Sequence, residues 1–391
     1  VVSEYNEGSK QILAAVNGDW MSWANSVASG SVTSNYRVSF SSMIADGEIW
    51  CSQMTSYEQN ADFFTFGVTT DRQVVIGKPK IQTTIKNVTK GTSYTATGIN
   101  RAPANNTLTV FNNRLNDSNY VNTDAYEVVL QTSDNRIMNG GTLTGTVKAI
   151  YTAGTTSRGK LDSNTVVITA RGSKISTISG KFAVGNTVTI STSIYDSYGN
   201  NDKWAKVDEA IGGQCLVMKN GSINNDLSGG SSDNYPTNII GYKSDKTIMM
   251  SMVTADTNGV RKGLVFNSNI DTFCKAVGYD TCLLLDGGGS TTMITLEDGN
   301  YVERACYSDG AIRATWNSCA IVYDAGNLVV PNNIKNVVFD PEYYYAKNKD
   351  LQAFGQNSSR LFQHFYEFGI AEGRQGSPLF AIDEYINQNN D

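Results

Sequence analysis

The stretch Leu283–Met293 reads LLLDGGGSTTM, and the rest of the chain is organised around it. The apolar run Cys282–Leu285 predicts a buried strand. It stops at Asp286, which is followed by Gly287, Gly288 and Gly289 and then by Ser290, Thr291 and Thr292. Three successive glycines weaken a helix or a strand, so each must serve a special backbone conformation or a close approach. A carboxylate at a strand end, next to N–H groups with no side chains in the way, suits a sugar or an anion. The same letters also describe a tight turn with a capping Asp, or a loop around a calcium ion.

The flanking sequence extends the pattern. Upstream lies MMSMVTADTNGVRKGLVF (Met249–Phe266), a strand-like run with Asp256 near its end. Gly263 follows, where a helix N-terminus could aim N–H groups at an anion. A helix-like segment then runs to Gly278. Downstream, YSDGAIRATWNSCAIVYD (Tyr307–Asp324) reads as a turn and a strand and carries Arg313 and Asn317. Near the start, KQILAAVNGD is a strand that stops in a polar loop at Asn17, Gly18 and Asp19. Between Ser39 and Gly98, MIADGEIWCS predicts a hairpin with Asp-Gly at its tip. A second hairpin is DFFTFGVTTDRQVVIG, and a strand then leads to Asn100 and Arg101. Arginine suits two-pronged contact with a phosphate or carboxylate, although this one could also be a surface residue before Pro103. Residues 126–194 are almost wholly β-patterned, and Trp204–Ile211 predicts a short helix stopped by Gly212-Gly213.

Taken in order, these pieces resemble the phosphodiester glycosidase family. The resemblance rests on AAVNGDWM (Ala14–Met21), FGVTTDRQVVIG (Phe66–Gly77), GINRAPANNTLTVF (Gly98–Phe111), GGQCLVMKNG (Gly212–Gly221), YPTNIIGYKSD (Tyr235–Asp245) and the glycine stretch itself. It runs from about Ala14 to Asp324. It implies a hydrolase that cleaves an alpha-glycosyl, N-acetylglucosamine-like phosphodiester and releases sugar from a phosphate-linked glycan or wall polymer. Asp286, Asp256 and Asp19 are then the catalytic carboxylates. Asn17, Asn100, Arg101, Gly263, Gly287, Gly288, Gly289, Ser290, Thr291 and Arg313 are then the substrate- and phosphate-binding set. Many relatives have Pro-Arg-Thr where this chain has Pro236-Thr237-Asn238, so the arginine expected there is absent, and Arg261 is the candidate to replace it.

Composition narrows the chemistry. The chain has 391 residues, enough for more than one domain, with 17% charged residues and many Thr, Ser, Asn, Gly and Tyr. That balance suits a β-rich, secreted, carbohydrate-handling protein, located outside the cell or at its surface. The net charge of −6 argues against a nucleic-acid partner. No run reaches the roughly 18 apolar residues of a membrane span. The abrupt start at VVSEYNEG suggests a processed or recombinant fragment whose leader is missing. There is one histidine, His364, far from the glycine stretch. A Ser-His-Asp triad, a Cys-His dyad and a histidine-ligated zinc are therefore excluded, and acid–base work falls to carboxylates. No cofactor is required; a calcium ion has no EF-hand-like spacing behind it. The six cysteines form no CxxC pair. Local disulfides Cys274–Cys282 and Cys306–Cys319 are favoured, with buried thiols as the alternative.

The expected architecture is α+β: a β-rich, mixed-sheet catalytic domain with flanking helices over residues 1–328, then a small all-α module over 329–391. The module's aromatics fall at helical spacing, with Phe362, Phe365 and Phe368 on one face and Gly369 as a cap. EYYYAKNKD recurs as DEYINQNND, with Tyr344 and Tyr385 about 41 residues apart, which suggests a helical repeat. It resembles repeats attached to secreted bacterial proteins, and cell-surface attachment through it is the expected use. Two further functions fit the residues. One is a phosphodiesterase that splits the P–O bond of a wall polymer such as teichoic acid; the other is a non-catalytic extracellular carbohydrate-binding protein.

Overall fold

The computed structural model describes residues 10–23, 37–54, 63–101, 104–114, 124–155, 161–224, 234–253, 255–257, 260–262, 264–265, 269–305, 313, 315–324 and 337–380. Among them the chain is β-rich, with short helices between sheets and a small helical C-terminal part, as the sequence predicts. Two compact units emerge: Val16–Ile294 with Glu303–Cys319, and Val1–Ala15 with Thr295–Val302 and Ala320–Asp391.

In the first unit an eight-stranded sheet takes up most of the β-patterned middle of the chain. It is antiparallel except where Gly98–Ile99 pairs parallel with Leu108–Phe111. Strand Pro79–Asn87 alternates buried and exposed residues along its whole length, as a strand with one wet face must. Ile85, Leu108, Val128, Ile168 and Trp204 fill the core behind it. Both predicted hairpins form, and Asp46 and Gly47 take positive φ at the tip of the first.

Strand Thr281–Leu284 is central in a five-stranded antiparallel sheet, between Leu216–Lys219 and Thr237–Tyr242. All four of its residues are buried, so it reads as an unbroken apolar run rather than an alternation. Helix Ile270–Val277 packs its Ile270 and Cys274 beneath this sheet, with Cys215, Val217, Ile239, Cys282 and Leu284. Gly278, at φ 93°, ends the helix in the left-handed conformation. On the sheet's other side Val16, Phe66, Ile211, Ile240, Leu283 and Leu285 close a second core.

Two expectations are corrected here. Cys215, Cys274, Cys282 and Cys319 are free thiols, so neither Cys274–Cys282 nor Cys306–Cys319 is a disulfide, and Cys306 lies outside the described residues. Cys274 and Cys282 are instead hydrogen-bonded to each other. Burial pushes the Cys215 thiol up to about 12, and the hydrogen bond with Cys274, followed by burial, raises Cys282, which starves this cluster of the thiolate that disulfide exchange needs. The second correction concerns Trp204–Ile211. The helix is Asn201–Trp204, and Val207–Gly213 is a strand paired with Phe64–Thr69. Gly212 and Gly213 are strand residues, present for the close approaches described below.

The described C-terminal residues build a separate aromatic core of Phe339, Tyr344, Leu351, Leu361, Phe362 and Phe365. Asp340 caps helix Pro341–Lys347 by accepting from the N–H groups of Glu342 and Tyr343. The turn Phe365–Gly369 is a π-helix. With i→i+5 bonding and more residues per turn, Phe368 lies at 53% exposure while Phe365 stays buried, so the expected three-phenylalanine face loses its last member. Tyr385 and the recurring segment lie outside the described residues.

Candidate active site

Strand Lys10–Asn17, strand Thr281–Leu284 and the loop before strand Ser318–Asp324 end close together. The first strand and strand Ser318–Asp324 are neighbours in a four-stranded sheet. Backbone bonds tie the ends directly. The Asp286 N–H donates to the Gly18 carbonyl at 2.8 Å, and the Gly18 N–H donates to the Asn317 carbonyl at 2.9 Å. Asp19 and Asp286, 267 positions apart in sequence, thus share one site.

Asn17 supports this junction. Its side-chain amide donates to the Asp286 carbonyl at 2.9 Å. Its Oδ1 accepts from Asn238 Nδ2 at 2.5 Å and from the Thr292 N–H at 2.9 Å. Asn238 also donates to the Thr292 carbonyl at 3.0 Å. One pair of buried amides therefore joins three strand ends and fixes the peptide that carries Asp286.

The glycines serve close packing. A Cβ on Gly287 would lie 2.7 Å from the Pro236 carbonyl, and Gly288 has φ 62°. Gly288–Ser290 form a 3₁₀ turn. The N–H groups of Gly288, Ser290 and Thr291 donate to the carbonyls of Pro236, Gly287 and Gly288. Most of the N–H groups expected to cradle an anion are therefore used by the turn itself. What the turn presents is Asp286, whose carboxylate accepts from the Ser290 hydroxyl and the Gly287 N–H. Burial, with the nearby Asp19 charge adding to it, pushes Asp286 up to about 6, against those two hydrogen bonds and the Arg313 charge.

Asp19 is 4% exposed. Its Oδ2 accepts from the Ser39 hydroxyl and, at 2.7 Å, from the Ser41 N–H. Its own N–H donates to Asn317 Oδ1 at 2.9 Å. Oδ1 has no hydrogen-bond partner. Burial raises the Asp19 carboxyl more than these bonds lower it. Gly212 backs the group, since a Cβ there would come within 2.3 Å of both Asp19 Oδ2 and the Ser41 Cβ.

The other expected residues are distributed as follows. Arg101, 1% exposed, points its Nη1 at the carbonyls of Ser39 and Ser52, which places it under the serine that holds Asp19. Asn100, at φ 49°, bonds the Trp50 carbonyl and Asn112 in a buried polar cluster with Glu48. Thr291 is fully buried, and its hydroxyl has no partner. Arg313 is exposed, and its charge reaches Asp286. Asp256 pairs with Arg261 across the ladder of strands Ala255–Thr257 and Val260–Lys262, and Gly263 lies outside the described residues. Among the described residues no group of three or more His, Cys, Asp or Glu is placed to hold a metal ion. Ser39, Ser41, Asn238 and Gly212 are the site's unforeseen members. Each acts through a neighbour distant in sequence, and no local motif marks them.

Comparison with known families covers Asp286 but not Asp19. Residues 137–322 match the phosphodiester glycosidase family. The matched segment is just under half of the chain and includes Asp286 and its glycine turn. It supports a hydrolase of the phosphodiester glycosidase kind. The fold is similar to that of a hypothetical protein from Synechocystis, with TM-score 0.58 and 14% identity over 80% of this chain and 51% of that one. A Burkholderia pseudomallei K96243 protein gives TM-score 0.54 and 14% identity over 74% of this chain and 62% of that one. The chain thus spans about half of the first of these proteins and under two thirds of the second. The zebrafish N-acetylglucosamine-1-phosphodiester alpha-N-acetylglucosaminidase catalytic domain, auto-inhibited by its pro-peptide, aligns at 11% identity over 72% of this chain and 86% of its own. Its TM-score of 0.24 carries no argument. No curated protein matches the chain.

Proposed function

We propose that the chain hydrolyses an alpha-glycosyl phosphodiester, releasing an N-acetylglucosamine-like sugar from a phosphate-linked glycan outside the cell. The observation that carries this reading is the convergence of two carboxylates with different surroundings. Asp286 sits at the end of a rigid strand with a pKa near 6, so it is ionised at neutral pH and basic enough to activate water or attack the anomeric carbon. Asp19 is buried, and burial raises its carboxyl from the ordinary value more than its hydrogen bonds lower it. Phosphate is already a good leaving group, so the work left to the protein is to hold the departing charge. Arg313 is the side chain we assign to it, because its charge reaches Asp286. Asp256, on the hairpin of strands Ala255–Thr257 and Val260–Lys262, stays in the proposal as a third carboxylate.

The test is release of free sugar from an alpha-N-acetylglucosaminyl methyl phosphodiester in ¹⁸O-labelled water. Label in the sugar is the expected result and means C–O cleavage; label in the phosphate would make the protein a P–O phosphodiesterase instead. Asp286→Asn should lower kcat/KM by about three orders of magnitude or more with the fold intact. An unchanged rate removes Asp286 from the reaction.

A further inference from the structure

Trp20 follows Asp19 directly and is the sheltered loop's most exposed ring, at 36%. Its carbonyl accepts from the Phe40 N–H at 3.0 Å, which ties the loop that holds Asp19 to the residue after strand Arg37–Ser39. Phe40 meets it edge-on, with centroids 6.2 Å apart and planes at 64°. Phe63 lies against Phe40 at 5.2 Å and 32°. Three rings thus form a row, with Trp20 as its exposed end and Phe40 and Phe63 half-buried behind it.

A second observation comes from the polar atoms. Asp19 Oδ1 and Trp316 Nε1 are buried without a hydrogen-bond partner, and Trp316 precedes the Asn317 that caps Asp19. Native proteins leave few such atoms unpaired, and those that remain point to a role or a bound group. Asp19 Oδ1 accepts when the carboxyl is ionised and donates when it is protonated, whereas Trp316 Nε1 only donates; a group bearing hydroxyls, which both donate and accept, satisfies the two atoms in either state. The apolar face of a pyranose beside such hydroxyls is the ligand chemistry that fits a tryptophan next to mixed polar atoms.

We propose that Trp20, braced by Phe40 and Phe63, is the platform on which the sugar ring of the substrate stacks, with the phosphate lying away from it toward Arg313. This rests on the glycosidase reading for the position of the phosphate, but the sugar platform can be tested alone. The probes are free N-acetylglucosamine and inorganic phosphate, titrated against the full chain carrying Asp286→Asn and followed by tryptophan fluorescence. The sugar should change the signal saturably, and phosphate should leave it unchanged. Adding Trp20→Ala should weaken sugar binding about tenfold or more, while Trp20→Phe recovers most of it. In the active enzyme Trp20→Ala should raise KM far more than it lowers kcat. Sugar affinity that is the same in a folded Trp20→Ala protein, with circular dichroism and Tm unchanged, overturns the platform. If no phosphodiester is hydrolysed but sugar binding still depends on Trp20, the hydrolase reading fails and the platform stands.

Discussion

At the scale of single residues, Asp286, the carboxylate proposed to do the chemistry, is held by its neighbours between two tendencies. Burial and Asp19 favour the acid; Ser290, the Gly287 N–H and Arg313 favour the carboxylate. With a value of about 6, the acid limb of kcat/KM should fall below that pH if the ionised form reacts. Ser290→Ala removes a bond to the charged form, so the limb should move to higher pH. The same shift acts on folding. A carboxyl whose pKa is higher folded than unfolded binds protons more tightly in the native state, so stability is lost as pH rises from about 4 through about 6 and is level above that. Asp286→Asn should therefore raise Tm at pH 7 by the equivalent of up to about 3 kcal/mol and change it little at pH 4. Thermal melts at the two pH values check this, and an equal shift at both would refute the assignment. The sequence singles out Asp286 and Asp19 as candidates because each stands where a strand gives way to a Gly-rich polar loop. It could not show Ser39, whose bond to Asp19 spans 20 positions, nor that Arg101 would be used as a support.

At the scale of elements, glycines were visible as letters but not as reasons. Gly287 and Gly288 form the expected turn, yet the turn shapes a close packing against Pro236 rather than an open cradle. Gly212 and Gly213 read as the end of a helix, since two glycines after an amphipathic stretch usually mean that. They lie in a strand instead, because Asp19, Ser41 and Leu283 pack where their side chains would be. Only the distant partner reveals the difference. Gly212→Ala should therefore act on a residue it does not resemble: it displaces Asp19, lowers activity at least tenfold and costs about 1–3 kcal/mol from overpacking. Gly91→Ala, at φ 68° with no atom within 4 Å, is the control and should leave activity unchanged. The elements themselves, strand runs and hairpins alike, were legible because period and turn chemistry are local properties.

For the molecule as a whole, the solitary histidine is informative. His364 belongs to the aromatic C-terminal core, where its Nδ1 lies 3.0 Å from the Tyr344 hydroxyl and its ring 5.5 Å from Phe368. If the carboxylates govern the reaction, His364→Ala should leave the acid limb near pH 6 unmoved, although imidazole ordinarily titrates there. A limb that vanished with His364 would end the carboxylate account. Module boundaries were suggested in the sequence by a shift to aromatics at helical spacing. The contribution of Val1–Ala15 and Thr295–Val302 to the same compact unit was not, since that depends on strand pairing across most of the chain.

The Asn17–Gly18 peptide has a chemical consequence of its own. Asparagine before glycine is prone to spontaneous deamidation, in which the following nitrogen attacks the side-chain carbonyl through a cyclic imide. Here that carbonyl oxygen accepts two hydrogen bonds and the Gly18 nitrogen is committed to Asn317, so the native fold should slow the reaction. Peptide mapping after storage should find Asn17 intact in native buffer and converted to aspartate or isoaspartate in denaturant. A molecule that unfolds and ages before refolding would return with an extra carboxylate or a kinked backbone beneath Asp286. Its shelf life as an enzyme would then be set by how seldom this one junction opens.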